Sequence, residues 1–259
     1  MRVTDLFKNI ANCISAVENP YPYLKHRYID WPRGKRQKPY ELRLRNGIRV
    51  HITEDGRDWF TAEEVFIGRL YTSNGQKIGT GDTVVDVGAN IGCFSLLASK
   101  LVGSEGRVIA VEPDPQTFRK LKANIELNQV KNIVAFCGAV GETNGQTILF
   151  RHANPLFSSL HEEVDGRVTA NQQVPTDILT LESFFQEHNI DKCQYLKLDC
   201  EGSEYGIVRS LSPELAARIS QITMEMHSVP GESEAELDSS LKQYGFMLDD
   251  TGVLSYYHR

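Results

Sequence analysis

The spacing of apolar and polar positions changes period along this chain, and the changes mark its elements. Tyr40-Glu41-Leu42-Arg43-Leu44-Arg45 and Ile48-Arg49-Val50-His51-Ile52 alternate residue by residue around Asn46-Gly47, which predicts a β-hairpin. Beyond residue 79, short continuous apolar runs take turns with segments of helical period. The runs predict strands at 82–87, 107–112, 132–137, 194–199 and 220–226, and the helical segments fall near 91–102, 115–128, 180–188, 204–211 and 233–243. Such a rhythm is that of a parallel sheet covered on both faces. Residues 145–178 interrupt it and read as inserted strands. Phe246-Met247-Leu248 and Val253-Leu254-Ser255-Tyr256-Tyr257 bracket Asp250-Thr251-Gly252, which predicts a closing hairpin and one antiparallel strand.

Ahead of the hairpin, Leu6, Phe7, Ile10, Ile14 and Val17 share one face of a short amphipathic helix, a face expected to pack on its own domain, with peripheral membrane attachment as the alternative. Pro20, Pro22, Pro32 and Pro39 then make an arm that suits neither helix nor central strand. A cap helix with Glu63, Glu64, Val65, Phe66, Ile67 and Leu70 follows the hairpin. Two units are expected: residues 1–78 as arm, hairpin and cap helix, and 79–259 as a cofactor-binding α/β domain.

Charge and composition narrow the partners. A formal net charge of −6 argues against wholesale nucleic-acid binding. Yet Lys25, Arg27, Arg33, Lys35, Arg36, Lys38, Arg43, Arg45 and Arg49 crowd one early stretch, either as a solvated basic face or as a patch for an acidic substrate or membrane surface. Cys13, Cys93, Cys137, Cys193 and Cys200 are odd in number and form no CxxC pair, so neither a disulfide framework nor a zinc knuckle is indicated. With no apolar run near the roughly 18 residues of a membrane span and no signal-peptide pattern, a cytoplasmic location is expected.

The chemistry starts at Asp86-Val87-Gly88-Ala89-Asn90-Ile91-Gly92, which reads as strand end, glycine turn and helix start. Backbone without Cβ lets a ligand approach, and a helix start offers N–H groups. The spacing is not the G-x-G-x-x-G of dinucleotide enzymes. It suits a cofactor with a zwitterionic amino-acid end, Asp86 near an ammonium and the N–H groups around Asn90 to Gly92 near a carboxylate. Glu112, at the end of the next strand and before Pro113, can accept both hydrogen bonds of a ribose diol. Asp114 is either a helix cap or an adenine-side contact, and Gly138-Ala139 would let backbone reach the adenine edge. In this order along the sheet the positions describe S-adenosyl-L-methionine.

Together with Val111-Glu112-Pro113, the stretch from Val174-Pro175-Thr176 through Leu181 to Phe184-Phe185, the run Leu196-Lys197-Leu198-Asp199-Cys200-Glu201-Gly202-Ser203-Glu204 and Glu225-Met226-His227, that turn resembles the FkbM-type methyltransferases over roughly residues 40–250. The resemblance implies the class I methyltransferase Rossmann-like fold, a seven-stranded mostly parallel sheet with a terminal antiparallel strand. It also implies O-methylation of sugars, polyketides and other natural products from S-adenosylmethionine. Thr180-Leu181 departs from the Leu-Asp of many relatives, but Thr180 caps a helix equally well.

Methyl transfer to an alcohol requires removal of the hydroxyl proton. Asp199, Glu201 and Glu204 follow the fourth strand, and Glu225 and His227 leave the fifth with the same facing. His227 is the leading general base by its ordinary pKa near 6.5, with Asp199, Glu204 and Glu225 beside it and Asp199 also facing the cofactor. Lys197, inside a strand, needs a carboxylate partner, with Glu225 as a candidate. Asp199, Glu201, Glu225 and His227 could also hold a hard divalent ion, but closely paired acids after the fifth strand are absent, so no metal ligands are assigned. Tyr71, His152, Phe157, Ser158 and Ser159 are expected in the wall of the acceptor pocket. The expected partner is a small-molecule or glycan acceptor, phosphate-bearing or not. N-methyl transfer, a nicotinamide dehydrogenase, a non-catalytic module of the same fold and an oligomeric state stay open from sequence.

Overall fold

The structure, a computed structural model, describes residues 3–36, 38–54, 57–71, 77–152, 154–168, 172–250 and 254–259. The chain begins with helices α1 (Val3–Ala16) and α2 (Tyr21–Lys25), a hairpin of β1 (Tyr40–Arg43) and β2 (Arg49–Ile52), and helix α3 (Asp58–Ala62). Next come β3 (Thr83–Val87), α4 (Cys93–Val102), β4 (Arg107–Glu112), α5 (Pro115–Asn128) and β5 (Ile133–Cys137). The insertion carries β6 (Ala139–Gly141), β7 (Gly145–Arg151), β8 (Glu163–Val164), β9 (Arg167–Val168) and β10 (Gln172–Thr180). The chain closes with α6 (Leu181–Glu187), β11 (Tyr195–Leu198), α7 (Glu204–Arg209), α8 (Pro213–Ala217), β12 (Gln221–Glu225), α9 (Glu234–Gln243), β13 (Met247–Asp250) and β14 (Leu254–His258).

Seven strands form the central sheet in the order β13-β14-β12-β11-β3-β4-β5. The five from β12 to β5 run parallel, and β14 is antiparallel to both neighbours. This is the Rossmann-like sheet that the alternation of runs predicts. The apex of the closing hairpin, residues 251–253, lies outside the described residues. Successive strand residues serve opposite cores. Val84, Val108 and Ala110 pack with Phe94, Leu96 and Leu121 on one face, while Val85, Ile109 and Val111 pack with Phe184, Phe185 and Ile207 on the other. Burial on both faces explains why these strands read as unbroken apolar runs.

The N-terminal segment joins the first of these cores through Cys13, Val17, Leu42, Val50, Ile52, Trp59 and Phe66. Polar side chains fix the edge of its hairpin. Asn124 Oδ1 accepts from His51 N at 2.8 Å, and Asn128 Oδ1 accepts from Arg49 N at 2.8 Å while its Nδ2 donates to Arg49 O at 2.7 Å. Two asparagines one helical turn apart on α5 therefore stand in for a neighbouring strand along β2, satisfying an edge that would otherwise face unpaired.

Several elements differ from the sequence reading. The Asn46-Gly47 turn is longer than a two-residue hairpin: Gly47 N donates to Leu44 O and Leu44 N to Ile48 O, both at 2.8 Å, with Gly47 at φ 88°. That geometry is a three-residue loop ending in a left-handed glycine bulge. The cap helix begins earlier, at Asp58, and continues as a π-helical turn over Glu63–Ile67. Val65, Phe66 and Ile67 are all buried in that turn. On α1 Cys13 is buried, as is Val17 just past its end, where it bridges to Leu44, whereas Phe7 and Ile14 are exposed. Gly138 to Gly141, read as a plain approach to the adenine edge, continues into a third strand of the insertion sheet, ordered β6-β10-β7. Helix α8 was hidden from the sequence reading by Pro213, which opens it as the first helical residue behind the Ser212 cap.

Candidate active site

A cleft with about 1120 Å³ of empty space, part of it open to solvent, lies over the carboxyl ends of β3, β4, β11 and β12. Loops there are held by strands whose register is set by the core, so their side chains are positioned before any ligand arrives. Its floor includes Gly88, Asn90, Glu112, Pro113, Ala139, Asp199 and Glu225; its far wall is Phe60, Thr61, Glu64 and Tyr71 from the cap and Leu149, Leu156, Phe157, Ser158, Ser159 and Leu160 from the insertion. Asp86, Gly92, Asp114, Gly138, Glu204, His227 and His152 are not among the lining residues.

The glycine turn is compact. Gly88 has φ 77°, and a Cβ there would lie 1.7 Å from Asp199 O, so any other residue would separate β3 from the turn after β11. The amides of the turn are used within it: Asn90 N donates to Glu112 Oε2 at 2.9 Å, Ile91 N to Asn90 Oδ1 at 2.7 Å, and Gly92 N to Ala89 O at 2.9 Å. The amides expected to meet a carboxylate, at Asn90 to Gly92, are therefore already engaged within the protein. Gly92 caps α4 with no side-chain hydrogen bond, so the first turn of that helix keeps N–H groups without a capping side chain.

Glu112 is buried and accepts from Asn90 N and from Asp114 N, each at 2.9 Å. Each oxygen keeps a lone pair, enough for a ribose diol. Burial pushes its carboxyl up to about 8 despite those two amides. Asp114 caps α5, accepting from Gln116 N at 3.2 Å and from Thr117 Oγ1 at 3.0 Å, and pairs with Arg151 of the insertion. Of its two open readings the structure displays the cap.

Lys197 corrects two expectations. Its ammonium is buried and sits 3.1 Å from Asp86 Oδ1, 3.1 Å from Asp199 Oδ2 and 3.1 Å from Gly88 O, and Glu225 is not an ion-pair partner. Asp86, fully buried, also accepts from Ser95 Oγ. It is thus spent on a cation of the protein itself and is not presented to a cofactor ammonium. Asp199, the partner nearer the cleft, accepts from Tyr71 Oη at 2.9 Å. Burial alone would raise its pKa, but Lys197, His227 and the Tyr71 hydroxyl hold it below the usual carboxylate range.

His227 lies just behind the cleft. Its Nδ1 is 3.2 Å from Glu204 Oε1, and its Nε2 is 3.7 Å from Glu201 Oε1. Glu204 is itself locked, accepting from Cys200 N and Gly202 N at 2.8 Å each. Burial works against charge on the imidazole, but the Glu204 hydrogen bond and the acids Glu204, Glu201 and Asp199 outweigh it and push its pKa up to about 10. An imidazolium at neutral pH has no lone pair with which to take a proton.

Besides Glu112, three further carboxylates among the described residues line the cleft with raised pKa values. Burial, reinforced by Asp199, brings Glu225 to about 7. Burial, with Asp199 and Glu225, brings Glu64 to about 8, and burial does the same for Glu201. Glu201 also adopts a left-handed φ of 50°, and its carbonyl accepts from Ser159 Oγ, which ties the insertion to the Asp199–Gly202 turn. Among the described residues, no hydrogen bond or ion pair holds the Glu225 carboxylate. Donor atoms of Asp199, Glu225 and His227 lie within 4.8 Å of one another, as do those of Asp165, Glu201 and His227, so either trio has the composition to take a divalent ion. Sequence reasoning missed Glu64; an acid next to the apolar Val65-Phe66-Ile67 of a cap helix was the available signal.

The comparisons agree with this geometry. The profile described as the methyltransferase FkbM domain matches residues 86–248. The chain is 30% identical over 230 residues to 31-O-demethyl-FK506 methyltransferase FkbM of Streptomyces tacrolimicus, covering 79% of this chain and 88% of that protein. It is 28% identical over 203 residues to Methyltransferase 1 of Beauveria bassiana, with 72% and 80% covered. The crystal structure of methyltransferase FkbM from Methylobacillus flagellatus KT superposes with a TM-score of 0.51 at 14% identity, covering 99% of this chain and 59% of that one, and shares the fold. The glycine cradle at Gly88, the lone pairs of Glu112 and the uncapped start of α4 fit an adenosyl amino acid, and the chain belongs to the FkbM family of methyltransferases, with S-adenosylmethionine as methyl donor.

Proposed function

We propose that the protein transfers a methyl group to a hydroxyl of a sugar or other natural-product acceptor, with Glu225 as the group that takes the hydroxyl proton. The observation that carries this reading is a cleft-lining carboxylate that has no hydrogen bond or ion pair among the described residues, raised by burial to about 7, beside a histidine that is already charged. A general base works best with a pKa near the working pH. The relative from Streptomyces tacrolimicus carries an O-demethyl substrate in its name, which supports oxygen as the acceptor atom.

Bound S-adenosylmethionine supplies an electrophilic methyl on a sulfonium that leaves as a neutral thioether, so the departing group needs no proton. The residues of the chain do the rest. Glu112 would hold the ribose diol, Pro113 and Ala139 would flank the adenine, and the first turn of α4 would meet the carboxylate. Lys197 keeps Asp199 ionised and fixed, and Asp199 is the acid left to face the cofactor ammonium. Phe60, Leu149, Leu156, Phe157 and Leu160 exclude water and seat an apolar scaffold. Charged His227 pairs with Glu204, which accepts from the Cys200 and Gly202 amides and so holds the turn after β11 in place, a positioning role in place of proton acceptance.

The test is methyl-label transfer from S-adenosylmethionine to matched hydroxyl and amine acceptors on sugar, nucleotide-sugar and polyketide scaffolds. Label should enter the hydroxyl series. In wild type kcat/KM should rise with pH through about 7, since only ionised Glu225 accepts a proton. Glu225→Gln should bind the cofactor normally and lose roughly 10²–10⁴-fold in kcat. Label confined to amines would overturn the oxygen assignment. Activity abolished by chelator and restored by magnesium would transfer Glu225 from base to metal ligand.

A further inference from the structure

The charge of this chain is divided by position. Residues 1–50 hold 11 Lys and Arg against four Asp and Glu, whereas the remaining 209 hold 17 against 30. The active site described above draws none of its lining from those first 50 residues. Several of their cations are already engaged: Lys25 and Lys35 pair with Asp30, and Arg27 with Glu63. Lys8, Arg33, Arg36, Arg43 and Arg45 are exposed and form no ion pair among the described residues.

Apolar groups accompany those cations. Phe7 and Ile14, two turns apart on one side of α1, are 67% and 51% exposed. Lys8 follows Phe7 on the helix, and Arg45 Nε donates to Ile14 O at 3.1 Å, so the stripe is bordered by positive charge. Trp31 is 39% exposed and opens a stretch in which Arg33, Lys35, Arg36 and Lys38 are all exposed. A nucleic-acid backbone would answer the cations but gain nothing from Phe7 or Ile14. An interfacial helix with apolar residues on one side and Lys and Arg beside them is the pattern that enters the headgroup layer of a bilayer.

We propose that this basic N-terminal stretch docks on an anionic lipid surface, with Phe7 and Ile14 of α1 entering the headgroup region and the exposed cations meeting the lipid charges. The acidic remainder of the chain favours that orientation, because an anionic surface repels it while attracting the basic stretch. Docking also carries a positional consequence. Arg57 lies 5.0 Å from the Trp31 ring and 5.9 Å from the ring of Phe157, a wall of the cleft, so the docked stretch stands one layer from the mouth. The proposal concerns location and is independent of the acceptor assigned above.

Sedimentation of the full chain with vesicles tests it, using phosphatidylcholine alone and phosphatidylcholine mixed with phosphatidylglycerol. The protein should bind the mixed vesicles, leave the neutral ones in solution, and lose binding as salt shortens the Debye length. Arg33→Gln with Arg36→Gln should weaken binding roughly 30-fold, at about 1 kcal/mol for each cation near the surface. Phe7→Ser with Ile14→Ser should weaken it about 10-fold, as expected for apolar groups withdrawn from a partly buried site. All four side chains are exposed, and unchanged affinity for S-adenosylmethionine verifies that each variant is folded. Absence of binding to mixed vesicles, or equal binding to neutral ones, overturns the proposal. So does binding of RNA but not vesicles at the same salt, or a serine pair that changes only the mass of a self-associated species. A serine pair without effect on vesicle binding overturns the insertion of α1.

Discussion

The two halves of the cleft are built by different means. The donor half is backbone geometry: a glycine turn that tolerates no Cβ, a helix start without a capping side chain, and one carboxylate held by two amides. The acceptor half is side chains drawn from four places, Glu64 and Tyr71 in the cap, Phe157 to Leu160 in the insertion, and Asp199 and Glu225 at two strand ends. A half made of backbone permits one ligand shape and leaves little to vary. A half made of side chains on a cap and a loop can change its ligand without disturbing the sheet.

The sharpest break of that contrast is Gly88→Ala. Its Cβ would stand 1.7 Å from Asp199 O at a φ that alanine resists, so calorimetry should find no cofactor binding, while changes in the acceptor wall should leave binding intact. Lys197→Met joins the halves from below. Removing the cation leaves Asp86 buried without its partner and should cost about 3–5 kcal/mol in denaturant unfolding. If stability were unchanged, the buried pair would not be what couples the glycine turn to Asp199.

Glu112→Gln probes the donor half more gently. Ribose hydroxyls donate best to an ionised carboxylate, and burial keeps Glu112 protonated up to about 8, so wild-type affinity for S-adenosylmethionine should rise as pH climbs toward 8 and fall below it. The glutamine variant should bind roughly 10- to 100-fold more weakly, as expected for lost hydrogen bonds to a charged group. Titration calorimetry across pH should show its affinity flat, and a retained slope would assign the proton elsewhere. Ser159→Ala is the mildest. It removes the hydrogen bond that ties the insertion to the left-handed Glu201, worth about 1 kcal/mol. Acceptor KM should rise about fivefold at that energy, with cofactor affinity unchanged.

The same contrast explains which parts could be read before folding. Contiguous features were legible: the run from Asp86 to Gly92, Glu112 before Pro113, and the strands whose burial on both faces leaves an unbroken apolar signature. Features that depend on what lies opposite were not. The buried side of the N-terminal helix falls at Cys13, with Val17 just beyond it, while Phe7 of the expected face is left 67% exposed. His227 looked like a base on its ordinary pKa, and only the packing of Glu204 and Glu201 against it makes it an acid that keeps its proton.

What the sequence determined by itself is the parallel sheet, its closing antiparallel strand and the identity of the methyl donor, because periodicity and short motifs act within a few residues of chain. What only the tertiary structure decided is the pairing of charges. Lys197 chose Asp86 and Asp199, His227 was claimed by Glu204, and Glu225 was left at the cleft without an ion pair among the described residues. Electrostatic energies in a buried site depend on distances of a few ångströms between residues far apart in the chain, and spacing along a sequence carries no such distances.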